Sequence, residues 1–234
     1  MNTPRPWIAK WLALATVLST LGLASAKAAS DEEEGWRTVR EVDGVEVARR
    51  EGGVPDFRGT TVLDASLPQV LAVLRDVPRH VEWRSRCVES RVLAIQSDRV
   101  ALLYSRTAGA WPISDRDVVF RSETQVDGPD AVRIETHNVD SPLAPDPDGA
   151  VRIELEGGFA LQALDQHRTR VEYRMRVDLG GAVPGWIARF AAEDMPLATL
   201  TGLRRQVAKT GGVYDAFVRA WSEAVARGEI PPLR

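Results

Sequence analysis

Few side chains in this sequence have the type and spacing that catalysis or metal binding requires. None of the three histidines, His80, His137 and His167, is spaced with another residue as a pair of metal ligands. His80 ends a predicted helix and the other two flank turns, so we interpret all three as surface or capping residues. Cys87 is the single cysteine, which excludes an intramolecular disulfide, and we interpret it as a small core residue. The sequence therefore predicts no catalytic residue, no metal and no cofactor.

Three glycine pairs could in principle hold a phosphate, but none has the residues of a phosphate-binding loop. They are Gly157-Gly158, Gly180-Gly181 and Gly211-Gly212. We interpret them as glycines of turns or helix ends.

One charged residue is predicted to face the interior. Arg116 shares the two-residue period of a strand with Val118 and Phe120, whereas Asp117 points to the other side. Because an unpaired buried cation is costly, Arg116 must either pair with an acid on a neighbouring element or contact the polar head of a ligand.

The elements that position these side chains are clearest in the last third of the chain. Apolar and charged residues alternate over 171–179, which predicts a strand with one buried face. Gly180-Gly181 then turns the chain, and Val183, Pro184 and Gly185 open a long amphipathic helix. An antiparallel sheet is expected to cover that helix.

The preceding residues read mainly as strands joined by short turns. A hairpin around Asp43-Gly44 and a strand over 56–65 come before a helix that Ser66 caps and Pro78 ends. Further strands are predicted over 91–95, 100–106, 117–123, 131–137, 151–156 and 171–179. The pattern indicates an α+β fold, a curved antiparallel sheet of about nine strands wrapped around a long C-terminal helix.

Several short motifs arrive in the order found in the START (steroidogenic acute regulatory protein-related lipid transfer) family, which the chain resembles from about Trp36 to Lys209. They are Asp178 to Trp186, Ser114 to Phe120, Val81-Glu82-Trp83, Asn138 to Pro145 and Val151-Arg152. The resemblance implies a helix-grip fold that holds one lipid between the sheet and the last helix.

The resemblance also bears on the polar groups of the cavity. The family often has an acid after the tryptophan of the third motif, where this chain has Arg84. Some members bury an acid and arginine pair, and the matching positions here are Leu103 and Ser122, so a sterol-type polar anchor is not implied. Family members have an Arg-Asp pair at the positions of Arg116 and Asp117 whatever their ligand. The resemblance therefore favours pairing of Arg116 with an acid.

The predicted ligand-binding residues combine the inward side of each strand with the opening of the helix. In the family, the loop that matches Trp111-Pro112-Ile113 is thought to gate the cavity together with this helix, and Pro196 is expected to loosen the helix there. The full set is Leu102, Tyr104, Trp111, Arg116, Phe120, Ile134, Ile153, Tyr173, Met175, Trp186, Ile187 and Phe190.

The first residues read as an export signal. Arg5 and Lys10 precede an apolar stretch that ends in Ala24-Ser25-Ala26, a small-residue cleavage site. We predict a signal peptide over 1–26, an acidic linker over 27–35, a lipid-binding domain over 36–210 and a helical extension over 211–234. Cleavage would leave 28 basic against 33 acidic residues, a net charge of −5, which argues against a nucleic-acid partner.

We therefore expect a periplasmic or secreted monomer, not an enzyme, that binds a phospholipid or other lipid and transfers it, with transient contact to a membrane surface. Two other classes stay open. A helix-grip enzyme of the polyketide cyclase or hydrolase type would place several polar side chains in its pocket. A non-transporting envelope interaction module would show a filled core and an exposed apolar patch over 213–221.

Overall fold

The computed structural model describes residues 35–50, 54–109, 111–180 and 184–233. The predicted signal peptide and residues 27–34 of the predicted linker lie outside the described residues. The strands are β1 (Trp36–Val42), β2 (Val45–Arg50), β3 (Asp56–Leu63), β4 (Cys87–Ile95), β5 (Val100–Thr107), β6 (Arg116–Val126), β7 (Ala131–Asn138), β8 (Val151–Arg152), β9 (Glu154–Ala163) and β10 (Thr169–Asp178). The helices are α1 (Leu67–Arg75), a 3-10 helix (Val77–Glu82), α2 (Gly185–Lys209) and α3 (Asp215–Ala226).

The strands form one curved sheet in the order β1-β2-β3-β10-β9-β7-β6-β5-β4. All pairings from β2 to β4 along this order are antiparallel, and the short β8 pairs with β6 in parallel. This is the predicted α+β helix-grip fold. The tenth strand arises because the predicted segment 151–156 divides at Ile153, with β8 on one side of it and β9 on the other.

The chain divides into two compact units, Met1–Arg37 and Thr38–Arg234. Of the first unit the structure describes only residues 35–37. The predicted domain boundary between residues 210 and 211 stays a prediction.

The helix α2 packs on β2 and β3 and also against the chain at Trp83, and a glycine lies at a close contact in each place. A Cβ atom added to Gly59 would lie 2.7 Å from Leu200 Cδ1, and one added to Gly202 would lie 2.1 Å from the carbonyl oxygen of Trp83. The Arg204 guanidinium adds a polar anchor, because it donates hydrogen bonds to the carbonyl of Asp43 at 2.8 Å and to Thr61 Oγ1 at 2.6 Å. The C-terminal half of α2 is thus fixed to one side of the sheet.

The helix α3 docks on α1. Trp221 and Ala224 are buried, and the Tyr214 hydroxyl just before the helix donates a hydrogen bond to Asp76 Oδ2 at 2.8 Å. The helical extension therefore docks on the rest of the described domain.

Candidate ligand-binding cavity

Two neighbouring cavities lie on the helix side of the sheet. The first, here called the α1 cavity, has a volume of about 190 Å³. Its walls include Leu74 of α1, Val77 of the 3-10 helix, Leu103 of β5 and Ile134 of β7. Most of its lining side chains are apolar, as a site for a hydrophobic molecule requires.

The second, the α2 cavity, has a volume of about 120 Å³. It is lined by Ile187 and Phe190 of α2, by Tyr173 of β10 and by Ile113 of the loop before β6. The Tyr173 ring stacks on Phe159 with ring centroids 4.5 Å apart.

Four residues line both cavities, so the two spaces adjoin. They are Arg84, Phe120, Leu155 and Met175. The three apolar members come from β6, β9 and β10 and lie where the two cavities meet. Together the two cavities offer apolar space on either side of these residues, and Arg84 is the charged residue of the described chain that lines both.

A pair of glycines lets β9 approach its neighbours closely beside this space. Gly157 and Gly158 lie inside β9 with φ of 146°, a conformation that favours glycine. A Cβ atom at Gly158 would lie 1.8 Å from the carbonyl oxygen of Ile134, and one at Gly157 would lie 2.2 Å from that of Arg174. The prediction that this pair forms a turn is therefore wrong: close approach of β7 and β10, rather than chain reversal, is what requires glycine here.

Most of the predicted ligand-binding residues line these cavities. The eight that do are Arg116, Phe120, Ile134, Ile153, Tyr173, Met175, Ile187 and Phe190. Trp111 and Trp186 line neither cavity, and their exposed fractions are 90% and 53%. Whether any of these residues contacts a ligand stays a prediction.

Leu102 and Tyr104 were predicted to face the helix, and this is wrong. In the β5–β6 register Leu103 is opposite Phe120 and Tyr104 is opposite Val119. Since residues opposite each other share a face of the sheet, Leu103 points into the α1 cavity while Leu102 and Tyr104 join Val119 in a separate cluster on the outer face. Residues 101–104 are apolar or aromatic without interruption, so the sequence has no alternation from which to read the inward side.

Segment 138–144 lies against that outer face, where Val139 and Ala144 pack on the cluster of Leu102, Tyr104 and Val119. A third cavity of about 440 Å³ lies beneath the segment, and its walls include Asn138, Asp140 and Glu154. Its polar lining fits solvent better than a hydrophobic molecule.

Arg116 faces the α2 cavity, as its position in the strand predicts. Its guanidinium donates hydrogen bonds to the carbonyl oxygens of Ser114, at 2.6 Å, and Leu179, at 3.4 Å. No Asp or Glu among the described residues forms the ion pair that was expected for Arg116. Asp117 points the other way and is fully buried, and its carboxylate accepts two hydrogen bonds of 2.8 Å from Arg152. The acid of the motif thus stabilises the outer face, while the arginine remains on the cavity side.

His80 lines the α1 cavity and is 6% exposed, so its interpretation as a surface residue is wrong. Its Nε2 lies 2.9 Å from the carbonyl oxygen of Leu74 and must donate a proton to it. Burial, together with the nearby charge of Arg84, lowers the pKa of His80 to about 3, and the hydrogen bond to Leu74 opposes this only in part. The ring is therefore neutral and caps the end of α1.

Sequence reasoning missed other cavity residues for identifiable reasons. Phe57 and Met195 line the α2 cavity, but only the β10–β3 pairing, in which Met175 is opposite Phe57, shows which strands meet there. Arg84 stood out as a departure from the family pattern, although nothing in the sequence placed it between two cavities. Cys87 is buried, as predicted for a core residue.

The described part of the chain has neither a cluster of metal-ligating side chains nor a membrane-spanning helix. No three His, Cys, Asp or Glu side chains among these residues lie where they could hold a metal ion. No helix in the same residues is long and apolar enough to cross a membrane.

The model of the START domain family matches residues 17–206, most of the sequence. The chain belongs to the START domain family. A curated relative, an uncharacterized protein of Pseudomonas aeruginosa, is 31% identical over 180 residues, which cover 75% of this chain and 88% of that protein.

Two solved structures show the same fold. A STAR-related lipid transfer protein from Xanthomonas axonopodis is 28% identical with a TM-score of 0.66, covering 74% of this chain and 99% of its own. The human StAR-related lipid transfer protein 5 is 20% identical with a TM-score of 0.70, covering 85% and 99%.

Proposed function

We propose that this START domain binds one hydrophobic molecule, a phospholipid or another acyl lipid, between the sheet and α2. The observation that carries the proposal is the pair of adjoining apolar cavities on the helix side of the sheet. Family membership, and the naming of the Xanthomonas and human neighbours as lipid transfer proteins, support it.

Hydrophobic burial alone gives such a ligand useful affinity. Each buried CH₂ group contributes about 0.8 kcal/mol, so a tail of about a dozen carbons contributes about 10 kcal/mol before the cost of ordering it. Each cavity is smaller than the roughly 300–1,000 Å³ of a typical ligand site. A lipid must therefore use both, which requires Phe120, Leu155 and Met175 to move apart.

Entry is proposed to occur between the loop before β6 and the first half of α2. Ile113 of the loop and Ile187 of α2 both line the α2 cavity, and Trp111 beside Ile113 is exposed to solvent. Pro196 lies inside α2 and cannot donate the backbone hydrogen bond to Ala192, which weakens the helix at this point. We propose that the loop and the helix separate to admit the lipid. We also propose that Trp111 contacts the membrane surface while the lipid enters.

The proposed setting is the bacterial periplasm. The export signal supports it, with Arg5 and Lys10 before an apolar stretch and small residues at 24–26. A lipid that crosses an aqueous compartment needs its chains shielded, and this is the proposed physiological role.

Mass spectrometry of lipids extracted from the natively purified protein tests the proposal. The variant Met175→Trp should keep the fold but fill the region shared by the cavities, and so reduce the amount of bound lipid. Val62→Trp, at a 43% exposed position of β3, is the matched control and should retain it. Native protein that yields no stoichiometric lipid, or a Met175→Trp variant that yields as much as the native protein, would contradict the proposal.

A further inference from the structure

We infer that the ligand has an acidic head group, a phosphate or a carboxylate, which binds to Arg84 where the two cavities meet. This inference rests on the proposed function, because it names the chemical class of the molecule held in the same space. It depends on the charges that line the cavities and on how each of them is paired.

The α2 cavity is lined by cations and, among the described residues, by no carboxylate. Arg84, Arg86 and Arg116 all contribute to its walls. Three guanidinium groups beside an apolar space, without an acid on the same lining, create a positive potential inside it. A neutral hydrocarbon gains nothing from that potential, whereas an amphiphile with an anionic head is stabilised by it.

Two of these arginines already use donors on backbone carbonyls. Arg86 donates through Nε to the carbonyl of Ala108 at 2.8 Å and through Nη2 to the carbonyl of Gly109. Arg116 donates to the carbonyls of Ser114 and Leu179. Both therefore have a structural role in holding the loop before β6, in addition to their positive charge.

Arg84 differs from both. Its side chain is half-buried, and within the described residues it makes neither an ion pair nor a side-chain hydrogen bond. A guanidinium carries five N–H donors, and none of the Arg84 nitrogens is among the buried unpaired atoms of the described residues, so these donors face solvent and are free to bind an anion. Since Arg84 lines both cavities, an oxygen of a ligand at their junction could accept these hydrogen bonds in place of water.

The surroundings of Arg84 suit an anion. Ser105 and Thr107 supply hydroxyl groups to the lining of the α2 cavity, and Ser122 supplies one to the α1 cavity. The one carboxylate on the described lining of the α1 cavity is Asp98, and Arg75 and Arg99 line the same cavity beside it. Hydrogen bonds from guanidinium and hydroxyl donors to a phosphate or carboxylate are stronger than those to a neutral ester or alcohol.

The test compares ligands that share one acyl chain and differ in the head. Palmitate is paired with hexadecanol, and palmitoyl lysophosphatidic acid with monopalmitoylglycerol, each measured by displacement of a fluorescent fatty alcohol. We expect the native protein to bind at least one acidic member about tenfold more tightly than its neutral partner. The pair that shows the preference distinguishes a carboxylate from a phosphate, and competition by inorganic phosphate shows whether the head binds without a chain.

Substitutions assign the preference to a residue. Arg84→Gln should remove the acidic preference and leave the affinity for hexadecanol unchanged, whereas Arg84→Lys should keep part of it. Arg205→Gln is the matched control, because Arg205 is an exposed residue of α2 that lines neither cavity. Equal affinity for acidic and neutral partners in the native protein would overturn this inference but leave lipid binding intact. A preference that survives Arg84→Gln would overturn the assignment to Arg84, and failure to bind any of the four amphiphiles would instead contradict the proposed function.

Discussion

At the scale of single residues, His80 connects the cavity wall to the pH dependence of stability. Its pKa in the folded protein is about 3, compared with 6.5 for an unburied histidine, mainly because burial penalises the charged ring. Below pH 6.5 the unfolded chain therefore binds a proton that the folded protein does not. The stability that the neutral ring contributes is complete above pH 6.5 and decreases as the pH falls towards 3.

We predict that the free energy of unfolding of the native protein decreases by up to about 1.5 kcal/mol between pH 6.5 and pH 5 through this residue. The pKa of Glu82 is lowered to about 2 by hydrogen bonds from Arg79 and Gln206, so its own contribution is lost only below pH 4.5 and does not enter this window. Urea denaturation at several pH values measures the slope.

The variant His80→Gln should flatten that slope, since glutamine can still donate to the carbonyl of Leu74 but does not titrate. The same substitution at exposed His137 is the matched control and should keep the slope of the native protein. Identical slopes for the native protein and His80→Gln would show that burial of His80 does not govern the pH dependence.

Residue types alone predicted which side chains are apolar and, in most strands, which of them point inwards. The alternation in β10 placed Tyr173 and Met175 correctly on the cavity side. In β5 the apolar run has no alternation, so the sequence could not show which of its side chains point inwards. The sequence also could not show that His80 is buried, because a histidine after a helix is compatible with either environment. Contacts between distant strands decide both cases.

At the scale of elements, the close packing of α2 depends on Gly202. A Cβ atom at this position would lie 2.1 Å from the carbonyl oxygen of Trp83, which belongs to the backbone and cannot rotate away. Alanine favours a helix over glycine by about 1 kcal/mol, so the local preference and the packing oppose each other at this position.

We predict that Gly202→Ala destabilises the protein by about 2 kcal/mol, because displacing α2 from the chain around Trp83 outweighs the gain in helix propensity. Gly185→Ala is the matched control in the same helix, since nothing lies within 4 Å of its added Cβ atom, and it should be neutral or slightly stabilising. Thermal and urea denaturation measure both. Equal stability of the two variants would mean that α2 can shift without cost.

The order and type of the elements could be predicted because each strand and helix has its own period or turn signal. The glycine pair of β9 shows the limit of such signals. Two consecutive glycines usually indicate a turn, yet here they allow the backbones of β7 and β10 to approach from both sides. That reason lies in the neighbouring strands and is not visible in the local sequence.

At the scale of the whole molecule, the proposed function requires a route by which a lipid enters the space between the sheet and α2. The described structure has α2 fixed to the sheet through its C-terminal half, by Leu200, Gly202 and Arg204. The first half of α2 lines the α2 cavity opposite Ile113, and Pro196 separates the two halves. Opening should therefore involve the first half of the helix and the loop before β6, while the second half stays in place.

We predict that a short thiol-reactive cross-link between Ile113→Cys and Ile187→Cys, in a Cys87→Ser background, slows transfer of a fluorescent phospholipid between vesicles at least tenfold. Both side chains line the α2 cavity, so the cross-link ties the loop to the first half of the helix. A longer, flexible cross-linker should restore part of the rate, because it permits the two segments to separate. The single-cysteine variants, blocked with a monofunctional reagent, control for modification of each site. Ligand that is already inside should remain bound after cross-linking. Unchanged transfer by the cross-linked protein would mean that lipid enters by another route, such as the end of the α1 cavity near Ile95 and Arg99.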